Sequence, residues 1–75
     1  MTLENLTPGT RYRIDAIDTA DAAVQRLMVL GLVEGAEVEL ASAAIGGDPL
    51  EFRLFGTSLS LRREHARCFQ VSSVS

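Results

Sequence analysis

The chain contains no lysine; all seven of its basic residues are arginine, set against ten aspartates and glutamates for a net charge of −3. An acidic total argues against nonspecific nucleic-acid binding, which is driven by neutralising phosphates, although a local basic patch is compatible with it. There is one cysteine, Cys68, so no internal disulfide can form. No apolar run approaches the ~18 consecutive residues that a membrane-spanning helix needs. The opening MTLENLTPGT has neither the basic segment nor the apolar core of a secretion signal, and residence in the cytoplasm is the expected default. Prolines number two and aromatics four.

What is present is globular: 47% hydrophobic and 23% charged residues in a chain of 75. That length predicts one domain, spanning residues 1–75, with a small core. A chain of this size buries roughly 60–65% of its unfolded surface, so stability is marginal.

The stretch Arg26 to Leu40, RLMVLGLVEGAEVEL, organises the rest. It reads as the end of a helix, a stop at Gly31, a turn at Glu34–Gly35 and a strand. Gly31 follows the last periodic apolar residues, where a helix C-terminus favours a residue at positive φ. Leu32 then falls where the chain folds back, and a contact with Leu27 would close the cap. Gly35 suits the positive-φ position of a type II turn. From Ala36 the period changes to alternation, with Val38 and Leu40 on one face and Glu37 and Glu39 on the other.

Upstream, Leu3 and Leu6 belong to a lead-in that ends in the turn signal Thr7-Pro8-Gly9. Thr10 to Ile17 alternates, placing Tyr12, Ile14 and Ala16 inward, with a bulge or strand end expected at Ile17. Asp18, Thr19 and Asp21 are candidate N-caps. A helix of about three turns near residues 20–30 follows, with Ala20, Ala23, Val24, Leu27 and Met28 on its apolar face. Downstream, Ala36 to Ala44 is a strand, and Gly46-Gly47-Asp48-Pro49 is a strong loop signal. Leu50 to Phe55 and Ser58 to Leu61 form a hairpin across Gly56-Thr57, with Leu59 and Leu61 inward. Arg62 to Ala66 gives a single helical turn, Phe69 to Val71 a last strand, and Ser72 to Ser75 a frayed tail. The predicted fold is therefore mainly β: a small, partly open five-stranded barrel, with one short helix after the first strand and a one-turn helix before the last.

Chemistry is thinly represented. His65 and Cys68 lie three apart, but no oxyanion loop accompanies them, and such a pair is usually structural. A zinc site would need four ligands, commonly two close pairs; His65 and Cys68, even with Glu64 or Asp48, supply one pair, so no metal site is predicted. Gly46-Gly47 has no following lysine or helix start and is not a phosphate loop. Arg62, Arg63 and Arg67 cluster, and Arg11 and Arg13 share a strand face. A nucleic-acid platform would add exposed aromatics, whereas only Phe55 escapes the core pattern. The residues point to a binding module without catalytic apparatus or cofactor.

The ordered set of short signals resembles the FeoA family, the small cytoplasmic component of bacterial ferrous iron transport. Its parts are Leu6 with Pro8 and Gly9; Arg26-Leu27 followed by Leu30-Gly31-Leu32; Gly35 opening the second strand; Gly47-Asp48-Pro49; and Gly56 followed by Leu61-Arg62 and Ala66. Two positions depart from the family pattern, Glu34 where a proline often precedes the glycine and His65 where an acidic residue is usual. The resemblance implies an SH3-like barrel and a partner, FeoB, the membrane ferrous iron transporter with a cytoplasmic GTP-binding domain. The alternative is a metal-responsive module acting on an iron-dependent transcriptional repressor, since that fold also occurs there.

A regulator without chemistry acts through its surface. Arg26, Val29 and Leu30 lie off the apolar helix face and Glu34 lies across the corner; these four are the expected contact residues. Arg62 and Arg63 are the second choice. Gly31, Gly35 and Leu27 are expected to be structural.

Overall fold

The computed structural model describes residues 1–74. A 3-10 turn, Leu3–Asn5, leads into β1 (Arg11–Ile17), α1 (Ala22–Val29), β2 (Glu37–Ala43), β3 (Leu50–Leu54), β4 (Thr57–Leu61), α2 (Arg63–Ala66) and β5 (Phe69–Ser73). The five strands form one antiparallel sheet in the order β4-β3-β2-β1-β5, so the expected mainly β, partly open barrel is what the chain adopts.

Alternation explains the core. Tyr12 and Ile14 of β1, Val38 and Leu40 of β2, and Leu50, Phe52 and Leu54 of β3 are all buried, while Arg11, Arg13, Glu37 and Arg53 face outward. Phe52 and Phe69 are completely buried, each contributing about 1.5–3 kcal/mol of transfer free energy. In β1 the register against β5 shifts between Ile14 and Ala16. The bulge therefore precedes its expected place at Ile17. An extra residue reverses the alternation, so Ala16 turns out to solvent and the larger Ile17 packs half-buried against the core.

β2 also shifts register, between Leu40 and Ser42, at the start of its small-residue run. Close approach of another backbone occurs there, since Gly9 N–H donates to Leu40 O at 3.3 Å.

The helix starts later than its pattern suggested. Asp21 is the N-cap, its Oδ1 accepting from Ala23 N–H at 2.8 Å. Ala20 lies before the helix and is exposed. Val24 is fully buried, and Ala23, Leu27 and Met28 are half-buried. Leu27 packs on the barrel core.

The β3–β4 turn lies one residue earlier than the sequence suggested. Leu54 pairs with Thr57, leaving Phe55 and Gly56 as a two-residue turn with φ of 52° and 76°. Positive φ at both central residues defines the type I′ hairpin, whose twist matches the flanking strands. Phe55 is thus a turn residue, not the end of β3.

Residues 1–3 and 72–74 join the sheet or pack on it. Leu3 is fully buried, Thr2 forms a bridge with Gln70, and Met1 O accepts from Val71 N–H at 2.8 Å. The expected fraying does not extend to Ser72 and Ser73, which pair with Arg13 and Tyr12. Ladder hydrogen bonds to β1 hold them, continued by Val74 N–H to Arg11 O at 3.0 Å. Ser75 lies outside the described residues.

Candidate partner-binding surface

The corner after α1 is built by backbone hydrogen bonds. Gly31 N–H donates to Met28 O at 3.0 Å and Leu32 N–H to Leu27 O at 3.2 Å, with Gly31 at φ 115°. This pair of bonds is a Schellman cap, and it throws Leu32 back into the core, where it is fully buried. Ala36 N–H then donates to Val33 O at 3.1 Å across a turn with Gly35 at φ 87°, as a type II turn requires. Two bonds fasten the turn to β1: Gly35 N–H to Ile14 O at 2.8 Å and Ile14 N–H to Ala36 O at 2.9 Å.

Because Leu32 is taken inward, Val29 and Leu30 are left outside, 86% and 61% exposed. The tip of the β3–β4 hairpin lies beside Leu30. A Cβ at Gly31 would stand 3.2 Å from Leu54 Cδ2 and 3.9 Å from Phe55 Cε2, so the missing side chain is what lets the hairpin lie against the corner. Leu30, Phe55 and Leu59 line a mainly apolar cavity of about 240 Å³ together with Thr57 and Ser58. Phe55 is 79% exposed.

Phe55 is the functional candidate that sequence reasoning did not place. Its signal was faint: an aromatic outside the core pattern and directly before a glycine. A bulky side chain at positive φ in an exposed turn is strained, and packing does not demand it here.

The arginines divide by whether the fold supplies a partner. Arg26 and Arg62 line a second cavity, of about 230 Å³, with Leu27, Leu61 and His65, so the first- and second-choice surfaces are continuous. Among the described residues Arg26 has no carboxylate within 4.0 Å, and Arg62 has only Glu64 at 3.9 Å on an open surface. Glu34 is exposed at the turn and lines neither cavity. Arg63 is different. Its Nε donates to Gly47 O, its Nη1 to Glu4 O at 3.1 Å, and its backbone N–H to Asp48 Oδ1 at 3.1 Å. These bonds tie the Gly46–Pro49 loop and the lead-in to α2, which makes Arg63 a structural tie. Arg11 and Arg13 meet Glu37 at 3.6 Å and Asp15 at 3.7 Å. Arg67 meets Glu4 at 3.1 Å.

The candidate nucleophile and metal ligands, His65 and Cys68, both approach Glu64, His65 Nε2 at 3.9 Å from its Oε1. Half-buried His65 turns Nε2 toward Asp21 Oδ2 at 3.7 Å, and Cys68 Sγ lies 3.8 Å from Glu64 O. Burial, reinforced by Asp18 and Asp21, pushes the Cys68 thiol up from its usual range, with Arg67 pulling the other way. At neutral pH it is a thiol, a poor nucleophile. Among the described residues no three His, Cys, Asp or Glu side chains converge on a point.

Comparison with known proteins agrees with this architecture. Residues 1–73 match the FeoA domain. No curated protein matches the chain. Iron(II) transport protein A from Clostridium thermocellum superposes with a TM-score of 0.91 at 30% identity, over 99% of this chain and 46% of that one, so the present chain spans about half its length. FeoA from Stenotrophomonas maltophilia, solved with zinc, superposes with a TM-score of 0.83 at 32% identity, over 96% of this chain and 89% of that one. It is described as an SH3 domain protein and advanced as a bacterial ferrous iron transport activating factor. The manganese regulator SloR shares the fold alone, with a TM-score of 0.79 at 15% identity over 99% of this chain and 34% of that one. With the domain match running nearly end to end on a five-stranded SH3-like barrel, the chain belongs to the FeoA family of ferrous iron transport proteins.

Proposed function

We propose that this chain is a non-enzymatic accessory protein of ferrous iron uptake that works in the cytoplasm, at the inner membrane, by binding the cytoplasmic part of a FeoB-like transporter. One observation carries the reading. Val29, Leu30 and Phe55, all largely exposed, gather at one corner beside Arg26, which lacks a carboxylate partner among the described residues. Exposed aliphatics and an aromatic next to arginine are the composition of an interface centre. Arg26, Val29, Leu30 and Glu34 form the contact surface, with Phe55 joining them and Arg62 extending it. A protein of this kind modulates its partner by binding two of the partner's states unequally.

Arg26→Ala and Val29→Asp, each checked for unchanged melting, are the test. Both should lose capture of the transporter's cytoplasmic domain and lower iron uptake in cells. Retention of both activities in both variants would remove this surface from consideration. The metal-responsive alternative, a module acting on an iron-dependent repressor, has fold likeness to SloR in its favour. It would be supported instead by repressor binding that appears only on addition of ferrous iron and vanishes in His65→Ala or Asp48→Ala.

A further inference from the structure

The two edges of the sheet are treated unequally. The β5 edge is covered, because Thr2 bridges Gln70 and Met1 O takes the Val71 N–H. Among the described residues the β4 edge pairs with β3 on one side and with no strand on the other. Edge strands are ordinarily blunted by charge, proline or a bulge. β4 reads Thr-Ser-Leu-Ser-Leu and pairs in unbroken register from Leu54↔Thr57 to Leu50↔Leu61, so it has none of these devices.

The register also says which groups are open. Leu54 and Thr57 flank a two-residue turn and form a hydrogen-bonded pair, and bonded and non-bonded pairs alternate from there. Thr57, Leu59 and Leu61 therefore bond to β3, while Ser58 and Ser60 direct their N–H and C=O outward. Backbone bonds outside the sheet ladders include none to Ser58 or Ser60 among the described residues. Both apolar and basic features flank this edge. The Leu30–Phe55–Leu59 cavity sits beside Ser58, and the cavity containing Arg26 and Arg62 sits beside Ser60.

We propose that the β4 edge is a docking site for an extended acidic segment of a partner protein, which adds as an antiparallel strand. Main-chain bonds to Ser58 and Ser60 supply affinity, and the two flanking cavities supply specificity. From Ser58 to Arg62 a strand advances about 13 Å at ~3.3 Å per residue. The segment therefore carries an aspartate or glutamate for Arg26 and Arg62, followed about four positions later by a large apolar residue for the Leu30–Phe55 cavity. Charge decides against a second copy as occupant. An antiparallel β4–β4 pair would set each Arg62 against the apolar end of the other copy. The inference rests on the partner-binding reading above only for where the segment comes from, the transporter's cytoplasmic part; recognition itself is a property of this chain.

The experiment uses the full chain and a capped synthetic peptide of about eight residues, with glutamate four positions before leucine and threonine or valine elsewhere. Amide hydrogen exchange is read by NMR and affinity by fluorescence anisotropy. Exchange at Ser58 and Ser60 should be fast in the free protein and slow by about tenfold or more with peptide bound. Arg62→Glu should weaken the peptide about tenfold or more. N-methylation of the peptide at the pairing positions should abolish binding, and this arm needs no change to the protein. The proposal is overturned by no binding at millimolar peptide, by binding indifferent to N-methylation or to Arg62→Glu, or by Ser58 and Ser60 amides already protected in a self-associated free protein. If the peptide fails while the transporter's domain is still captured through Arg26 and Val29, the edge is excluded and the accessory role stands.

Discussion

Two regions of this molecule carry arginine beside a glycine-containing turn, and they use it oppositely. At the α2 end, Arg63 reaches across to Gly47 O and Glu4 O, the latter 59 positions away in sequence, and its guanidinium is consumed by holding the loop and lead-in together. At the α1 corner, backbone bonds already complete the turn, and Arg26 is left without a carboxylate partner among the described residues. Where backbone geometry closes a structure, side chains are free for a partner. Where a long loop must be closed by a side chain, the charge is spent internally. Arginine clusters in sequence do not mark a binding site until this distinction is made.

The largest effect is expected at Gly31. A β-branched side chain there meets both a φ of 115° and Leu54 Cδ2 at 3.2 Å, so Gly31→Val should destabilise by about 2–3 kcal/mol in denaturant melts. An unchanged midpoint would mean that the corner is not closed by its backbone. Next comes Arg63→Ala. Losing charge-assisted bonds to two carbonyls should cost about 2 kcal/mol, while Arg26→Ala should stay within about 0.5 kcal/mol. Equal effects of the two substitutions would erase the contrast between the ends.

A smaller effect of opposite sign is expected at the hairpin tip. Asparagine before Gly56 suits a type I′ turn better than phenylalanine at φ 52°, so Phe55→Asn should be neutral or stabilising by up to about 1 kcal/mol. The same variant should weaken capture of the transporter domain. A destabilised Phe55→Asn would show that the ring serves packing instead of recognition. The smallest test concerns Cys68. Its raised pKa lowers the thiolate fraction at any given pH, so iodoacetamide should label it at pH 8 more slowly than a free cysteine peptide. Labelling as fast as the peptide would return Cys68 to the list of reactive groups.

Most of the fold was legible because its determinants are local. Gly31 and Gly35 sit where a helix cap and a type II turn need positive φ, and both have it. The alternation of Tyr12 with Ile14, of Val38 with Leu40 and of Phe52 with Leu54 predicted their burial. The departures have physical causes too. At Ala16, alternation carries no sign of a bulge, which depends on how β1 meets β5. At Phe55, Gly56 announces a turn without saying which neighbour joins it. At Ser72 and Ser73, a polar tail reveals nothing of the partner strand that holds it.

The surface obeys a different rule. Val29 and Leu30 lie off the apolar helix face by helical period alone, which acts within a few residues. It takes the folded core to bring Phe55 beside Leu30, to set Arg26 and Arg62 in one cavity, to tie Arg63 down, and to leave β4 with an edge open among the described residues. Each of these depends on the strand order β4-β3-β2-β1-β5. That order is set by which apolar faces can be buried together, a property of the whole core that no local stretch of residues contains.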